Sequence, residues 1–266
     1  MSTKKPRVAI HSITGCAGCQ LTFYFIKDRL LDFLGAIDLV AAPMIKGKND
    51  LDGKYDVCFV EGSVSSERDL EHLKKWREQS KILVALGTCA THANVQGIKN
   101  FREAKKVQEY VYGKEAKNME GELKPVAPTP LDAHVKIDYK ISGCPPEEVE
   151  ILRFCKDYLM GLDPRIYNEP VCVECTKREI KCLLEDGKEC MGPLIRGGCN
   201  ALCPGVGHGC TGCHGPIPEG NIPQTITLLK ANGIPLHLIN QRMQKYAGLE
   251  FEKLGAAIKS EVESDE

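Results

Sequence analysis

Residues 7–34 read RVAIHSITGCAGCQLTFYFIKDRLLDFL and pass from a strand pattern, through a glycine-bearing turn, to a helical pattern. The opening RVAIHSI, at 7–13, is short and almost continuously apolar, which is typical of a parallel strand buried on both faces. The apolar spacing at 21–34 predicts a helix. A strand followed at once by a helix is the first half of a β-α-β unit, the building block of a parallel sheet.

The same alternation continues along the first half of the chain. A second helix is predicted at 66–79, where Ser66 and Asp69 have the spacing of a capping box. Further strand candidates are IDLVAAPM at 37–44, DVCFVEG at 56–62, KILVALG at 81–87 and VKIDYKISG at 135–143. The rhythm predicts the α/β class, with a doubly wound parallel sheet.

Composition narrows the class of protein. The 266 residues carry a net charge of −1, with 42% hydrophobic and 27% charged side chains, an ordinary globular profile with room for two domains. The chain lacks the basic stripe of a nucleic-acid binder. It also lacks an apolar run of roughly 18 residues, and MSTKKPRVAI does not have the pattern of a signal peptide, so we expect none. We therefore expect a cytoplasmic protein with no nucleic-acid partner and no membrane anchor.

Cysteine is the unusual feature of the composition. The chain has 14 cysteines, and in a reducing compartment metal binding explains them better than disulfides do. Cys58 lies inside the third predicted strand and Cys155 on the apolar face of a predicted helix, so we expect both to be core residues.

Four other cysteines each follow a predicted strand. Cys16 and Cys19 come after the first strand, Cys89 in GTCAT after the fourth, and Cys144 in SGCPP after the fifth. Ligands of doubly wound sheets lie beyond the carboxyl ends of the strands. These four thiols are therefore predicted to converge on one site. A redox dithiol of the thioredoxin kind would leave Cys89 and Cys144 unused.

The stretch 170–218 is rich in Gly, Pro and Cys, with too little apolar periodicity for a hydrophobic core, so metal centres are expected to supply folding energy. Zinc and iron–sulfur clusters both accept four thiolates. Two such sites beside a third at the sheet edge favour an electron relay, which redox-silent zinc does not carry. Chain order divides the eight cysteines into two sets, with an interleaved division left open: Cys172, Cys175, Cys182, Cys190 and Cys199, Cys203, Cys210, Cys213.

Six motifs in this order resemble the small subunit of cytosolic [NiFe] hydrogenases, with nearest likeness to sulfhydrogenase delta-type and methyl-viologen-reducing gamma-type subunits. The likeness covers nearly the whole chain up to about residue 220. The motifs are TGCAGCQ, VEGSVSSERDLE, LGTCAT, SGCPPE, CMGP and GCTGCHGP.

The resemblance implies three [4Fe–4S] clusters and no catalytic residue on this chain, since hydrogen is split on the partner large subunit. Two departures from periplasmic members, Cys172 in place of a histidine and Cys203 as an extra ligand, favour four irons in each cluster. A flavin- or iron–sulfur-containing acceptor-reducing subunit is the other implied partner. The implied ligands are Cys16, Cys19, Cys89 and Cys144 for the proximal cluster, Cys172, Cys175, Cys182 and Cys190 for the distal cluster, and Cys199, Cys203, Cys210 and Cys213 for the medial cluster.

The predicted organisation is a flavodoxin-like domain at 1–168, carrying the proximal cluster, and a smaller irregular and α iron–sulfur domain at 169–266. The second domain would hold two clusters and C-terminal helices near 223–232 and 238–256. Residues 98–134 are expected to form an extended crossover loop. The acidic KSEVESDE end is expected to be a solvated tail.

Four polar residues, one glutamate and three histidines, lie near the predicted ligands in the sequence. Glu61 ends the third predicted strand, and we expect an exposed loop carboxylate there in preference to a proton relay. His92, His208 and His214 are expected on the surface or behind the ligands.

Two alternatives for the whole chain are a cluster-bearing subunit similar to that of respiratory complex I, and a zinc-stabilised scaffold.

Overall fold

The computed structural model describes residues 4–118 and 126–255. Its five strands form one parallel sheet in the order β2-β1-β3-β4-β5, the flavodoxin-like order of a doubly wound sheet. The predicted fold class is confirmed. The strands are β1 Arg7–Ser12, β2 Asp38–Ala41, β3 Tyr55–Glu61, β4 Ser80–Leu86 and β5 Tyr139–Ile141.

Helices flank these strands and are the main regular secondary structure in the described second half of the chain. The predicted pair near 223–232 and 238–256 is present as α9 and α10, and KSEVESDE lies outside the described residues. No helix in the described residues is long and apolar enough to span a membrane. The helices are α1 Gly18–Tyr24, α2 Leu30–Ala36, α3 Glu67–Gln79, α4 Gly87–His92, α5 Ala104–Tyr112, α6 Glu148–Leu159, α7 Val171–Lys177, α8 Leu202–Gly205, α9 Ile222–Ala231 and α10 Leu236–Lys253.

Apolar side chains cover both faces of the sheet. One face packs Phe23, Phe59 and Phe154 edge to face, and the other packs residues such as Leu73. Cys58 is fully buried within β3 and Cys155 is buried on α6, which confirms both as core residues.

The single helix predicted at 21–34 is wrong. A 3₁₀ turn at Lys27–Arg29 separates α1 from α2, and Lys27 takes a left-handed φ of 54°. On a continuous helix, Phe23 and Phe33 would lie about 15 Å apart along the axis. The break brings their ring centroids to 5.8 Å, so that both rings enter the same core.

Ser66 caps α3 as predicted, because its hydroxyl accepts the N–H of Asp69 at 3.1 Å. The reciprocal half of the capping box has a different partner. The Asp69 carboxylate accepts from the N–H of Ser65 at 3.0 Å and from the hydroxyl of Thr14 at 2.7 Å. This carboxylate therefore ties the turn after β1 to the start of α3.

The chain divides into two compact units. The first comprises residues up to Thr91 together with Thr129–Ile166, and the second comprises His92–Pro128 and the chain from Tyr167 onward. Residues 92–128 group with the second unit, and the domain division expected at 168 stays a prediction.

The extended crossover loop expected at 98–134 is wrong where the structure describes it. The segment begins in a 3₁₀ helix at Asn94–Phe101 and continues into α5. The ring of Phe101 occupies the space that a Cβ at Gly248 of α10 would need, at 2.4 Å. Packing against a distant helix therefore orders a segment whose own composition is charged.

The second unit has a hydrophobic core, contrary to the expectation for 170–218. That stretch contributes Val171, Met191, Leu194 and Ile195 to it. Much of the rest comes from the C-terminal helices, among them Leu229, Ile239, Met243 and Phe251. The apolar residues of the cysteine-rich segment thus pack against helices that follow it in sequence.

His11 is a buried imidazole on β1, stacked on Trp76 at 4.4 Å between ring centroids. Its Nε2 has no hydrogen-bond partner among the described residues. Burial, with smaller effects of His72 and Lys75, lowers the pKa of His11 from 6.5 to about 4. The folded state therefore holds this ring neutral where the unfolded chain would protonate it.

We predict that folding stability falls as the pH drops from about 6.5 to about 4, because protons bind the unfolded chain preferentially over that interval. The pKa difference corresponds to roughly 3 kcal/mol. His11→Phe should flatten this part of a chemical-denaturation profile. Replacing the exposed His237 with Phe is the control for the same substitution outside the core. An unchanged slope in the His11 variant would contradict the assignment.

Candidate metal centres

Four of the predicted ligands lie at the carboxyl edge of the sheet. Cys16 is in the turn after β1 and Cys19 is in the first turn of α1. Cys89 is in α4, directly after β4, and Cys144 is in the turn after β5. Cys19 and Cys89 are buried, whereas Cys16 and Cys144 are exposed. The structure therefore places all four residues at one edge, and their role as ligands stays a prediction.

Cys19 is the most enclosed thiol of this group. Burial raises its pKa, and the neighbouring Glu61 carboxyl and the Cys89 and Cys144 thiols raise it further. Cys19, Cys89 and Cys144 therefore lie close enough to interact electrostatically. A cationic metal core would reverse the preference, because thiolate is the form that binds metal.

Gly87 lets the Cys19 thiol approach the turn between β4 and α4. It has a φ of +83°, and a Cβ built on it would lie 2.2 Å from Cys19 Sγ. Glycine is the one residue that meets both conditions, since it takes a left-handed φ freely and has no Cβ.

The turns that carry Cys89 and Cys144 are bound to each other. Thr88 donates its N–H to the carbonyl of Gly143 at 2.9 Å, and Gly143 donates its N–H to the Thr88 hydroxyl at 3.0 Å. One turn later the hydroxyls of Thr91 and Ser142 are 2.8 Å apart. Hydrogen bonds between their neighbours therefore fix the relative position of the two cysteines.

The prediction that Glu61 is an exposed loop carboxylate is wrong. Glu61 is 2% exposed and accepts from the backbone N–H of Gln20 at 3.2 Å and from its side-chain amide at 3.1 Å. It is the last residue of β3, in register with Ser12 of β1. Strand order reverses between these two strands, which opens the crevice that Glu61 enters.

In the second unit, the first cysteine set is gathered around α7, which carries Cys172 and Cys175. Burial raises the pKa of Cys172 to about 12, and the thiols of Cys190, Cys175 and Cys182 raise it further. Burial also raises the pKa of Cys175, again with contributions from Cys190 and Cys182. These four thiols are therefore neighbours.

Cys190 joins this set to the second one. Its Sγ accepts backbone N–H groups from Gly192 at 3.4 Å and from Cys210 at 3.3 Å. Burial raises the pKa of Cys210, and thiols of both sets, Cys190 on one side and Cys213 and Cys199 on the other, contribute. The two sets adjoin at Cys190, so the division between them stays a prediction.

Glycine again opens space beside sulfur. A Cβ at Gly192 would lie 3.3 Å from Cys190 Sγ and 3.5 Å from Cys172 Sγ. The backbone there reaches two thiols of the first set at once, which agrees with the grouping of Cys172 with Cys190.

The three histidines occupy different environments. His208 is exposed, and His92 and His214 are buried. His214 Nδ1 lies 2.9 Å from the carbonyl of Gly197, and burial lowers the pKa of this ring. The His92 ring fills the space beside Gly215.

Sequence reasoning missed two buried polar groups beside the predicted ligands. Gln20 binds Glu61 next to Cys19, and Glu174 lies between Cys172 and Cys175 with its carboxylate turned inward. The available signal was position, because both residues adjoin a cysteine in a Cys-x-x-Cys motif.

The donor chemistry of these sites fits iron–sulfur clusters. Within the described residues, no three His, Cys, Asp or Glu side chains form a ready-made site for one metal ion. The predicted donors are all thiols, and backbone N–H groups already reach Cys190 Sγ. Cysteine thiolates with N–H donors to sulfur are the groups that hold such clusters and tune them.

Comparison with known proteins gives a consistent set of relatives. Residues 16–158 match the family model of the NADH ubiquinone oxidoreductase 20 kDa subunit. Sulfhydrogenase 2 subunit delta of Pyrococcus furiosus is 39% identical over 84% of this chain and 92% of its own length. A subunit of the F420-non-reducing hydrogenase vhu of Methanocaldococcus jannaschii is 29% identical over 91% of this chain and 99% of its own.

A solved structure agrees with these sequence relatives. A chain of an NAD+-reducing [NiFe]-hydrogenase in the H2-reduced state superposes with a TM-score of 0.55 at 27% identity, covering 61% of this chain and 96% of its own.

We predict that Gly87→Ala reduces metal binding at the sheet edge, because the added methyl would overlap the Cys19 thiol. Gly161→Ala is the matched control: its φ is +71°, yet a Cβ there meets nothing within 4 Å. Both variants should lose stability of about 1 kcal/mol or more from backbone strain. Metal content measured after anaerobic purification should fall only for Gly87→Ala. Equal metal content in the two variants would contradict the proposed close approach.

Proposed function

Because the chain belongs to the family of the NADH ubiquinone oxidoreductase 20 kDa subunit and is a hydrogenase small subunit, we propose that it relays single electrons through three [4Fe–4S] clusters. The relay would connect the hydrogen-splitting site of a [NiFe] large subunit with an acceptor-reducing subunit. A cluster supplies one-electron transfer when bound.

The placement of the cysteines is the observation that carries this proposal. Cys58 within β3 and Cys155 on α6 are assigned to the core, which leaves 12 of the 14. The other 12 lie at the sheet edge or in the cysteine-rich part of the second unit, where thiols are neighbours of thiols. Twelve thiolates supply three sets of four.

We assign the sets as the sequence suggested. The proximal cluster would take Cys16, Cys19, Cys89 and Cys144; the distal cluster Cys172, Cys175, Cys182 and Cys190; and the medial cluster Cys199, Cys203, Cys210 and Cys213. Neighbouring thiols within the first two sets support those two groupings. Gly87 and Gly192 keep the backbone close to the sulfurs, and N–H groups at Cys190 favour the thiolate.

The names of the relatives support a multisubunit assembly, since each relative is one subunit of a hydrogenase. Hydrogen activation then belongs to a large-subunit partner, and acceptor reduction to a flavin- or iron–sulfur-containing one. The segment that begins with Cys19 exposes large apolar side chains, with Phe25 at 60% and Leu31 at 80%. Exposed apolar patches mark contact surfaces, which supports docking of a partner on this segment.

The hydrogenase assignment is favoured over a complex I type of subunit by coverage. The family model ends at residue 158, before the eight-cysteine segment. The hydrogenase relatives instead cover 84% and 91% of the chain.

We predict that the anaerobically purified protein contains about twelve irons per chain, four for each of three clusters. Cys89→Ser should remove about four of them, because each cluster is lost when a ligand is lost. Cys155→Ala, in the core of α6, should leave the iron count unchanged. Iron and zinc are measured by plasma emission, and reducible clusters by electron paramagnetic resonance. About three zincs in place of iron would refute the relay and establish a zinc scaffold.

Hydrogen-dependent dye reduction by the copurified complex tests the partner assignment. We expect a nickel-containing subunit to copurify and hydrogen to reduce the clusters of this chain. Clusters that quinol reduces and hydrogen does not would favour the complex I alternative.

A further inference from the structure

Glu174 is a buried carboxylate on the helix that carries Cys172 and Cys175. It is 7% exposed, which is unusual for a glutamate. One carboxylate oxygen accepts the N–H of Gly198 at 2.8 Å, and the other accepts the N–H of Ala201 at 2.9 Å. The second oxygen also lies 3.9 Å from Cys199 Sγ. Both oxygens of Glu174 thus hold the loop that contains Cys199.

Arg178 holds the same loop by its carbonyl groups. It lies four residues after Glu174 and is the C-cap residue of α7. Its Nη1 donates to the carbonyl of Asn200 at 2.5 Å and to that of Ala201 at 3.3 Å. The side chain of Glu174 on α7 and that of Arg178, the residue that caps this helix, therefore bind N–H groups and carbonyls of residues 198–201.

The loop needs such support, because its backbone is unfavourable. Asn200 and Ala201 both take left-handed φ values, 55° and 47°. Residues with a Cβ avoid this region unless surrounding contacts impose it. The loop connects Cys199 to Cys203 within this conformation, so the bonds from α7 fix where both thiols leave the chain.

Two glycines keep space for the two side chains. A Cβ at Gly197 would lie 3.0 Å from Glu174 Cδ, and a Cβ at Gly205 would lie 2.8 Å from Arg178 Nη1. Each end of the loop is thus shaped around one member of the pair, which distinguishes this arrangement from a surface ion pair.

We propose that Glu174 and Arg178 are positioning residues that clamp the Cys199–Cys203 loop onto the helix bearing Cys172 and Cys175. The clamp joins the two cysteine sets of the second unit into one frame, so that the medial set is in place only while the distal-set helix is formed. The inference rests on the proposed function, in which both sets hold clusters.

The Glu174→Gln variant tests the clamp with almost no change of shape. Its amide keeps one acceptor oxygen but presents NH2 to the other loop N–H, and it removes a negative charge beside Cys199. A nearby anion disfavours the reduced cluster, which is the more negative form, so loss of the Glu174 charge favours reduction. The loop N–H group that loses its acceptor also stabilises the reduced cluster. We expect a full iron count, with a positive shift in the midpoint potential and an altered paramagnetic signal of one cluster.

Glu174→Ala and Arg178→Ala remove the hydrogen bonds outright. We expect each to lose about four of the twelve irons, together with the signal of one cluster, while the other signals persist. Glu179→Gln is the matched control, because Glu179 is exposed on the same segment and the charge change is identical. It should match the wild type in iron count, potential and spectrum.

The outcomes separate the clamp from the proposed function. Wild-type protein without iron–sulfur signals overturns both. Wild-type protein with three clusters, but with Glu174→Gln and Glu174→Ala indistinguishable from it, overturns the clamp alone. A potential shift of equal size in Glu179→Gln also overturns the clamp, because the effect would then be one of overall charge.

Discussion

Close approach of backbone to sulfur governs how this chain is built. In the first unit, the Cys19 thiol sits where any side chain at Gly87 would have to be, 2.2 Å from that hypothetical Cβ. The parallel sheet makes this contact available, because it brings the ends of β1 and β4 to the same edge. The bonds between the turns at Thr88 and Gly143 then hold the edge in place. The parallel sheet of the first unit therefore also determines where its thiols lie.

The second unit meets the same requirement with no strand of the sheet among its described residues. Its cysteines lie on a short helix and in a series of turns. A Cβ at Gly192 would lie within 3.5 Å of two of their sulfur atoms. The apolar residues of 170–218 depend on α9 and α10 for a core, while Glu174 binds the loop around Cys199. Hydrogen bonds from Glu174 and apolar packing against α9 and α10 thus take the place of the sheet that supports the thiols of the first unit.

The sequence predicts the sheet well, because buried parallel strands have a local signature: β1 and β4 each contain a short run of apolar residues, at 8–10 and 82–86. It also places Cys89 and Cys144 at the correct edge, since strand direction alone decides that. It fails where distant contacts override local pattern. The break at Lys27 depends on Phe23 and Phe33 sharing a core, and the order in 94–112 depends on Phe101 packing against α10. The burial of Glu61 depends on a crevice that exists only after β1 and β3 pair.

Iron–sulfur clusters held by thiols of both units, and serving electron transfer, are what we propose for this chain. The sharpest test is Mössbauer spectroscopy of ⁵⁷Fe-labelled protein in the complete complex, first oxidised and then reduced under hydrogen. With the ⁵⁷Fe label confined to this chain and natural-abundance iron in its partners, we expect essentially all of the label to have the parameters of [4Fe–4S] clusters, and hydrogen to convert part of it to the reduced form. Iron absent from the chain, or clusters that stay oxidised under hydrogen in an active complex, would refute electron transfer through this subunit.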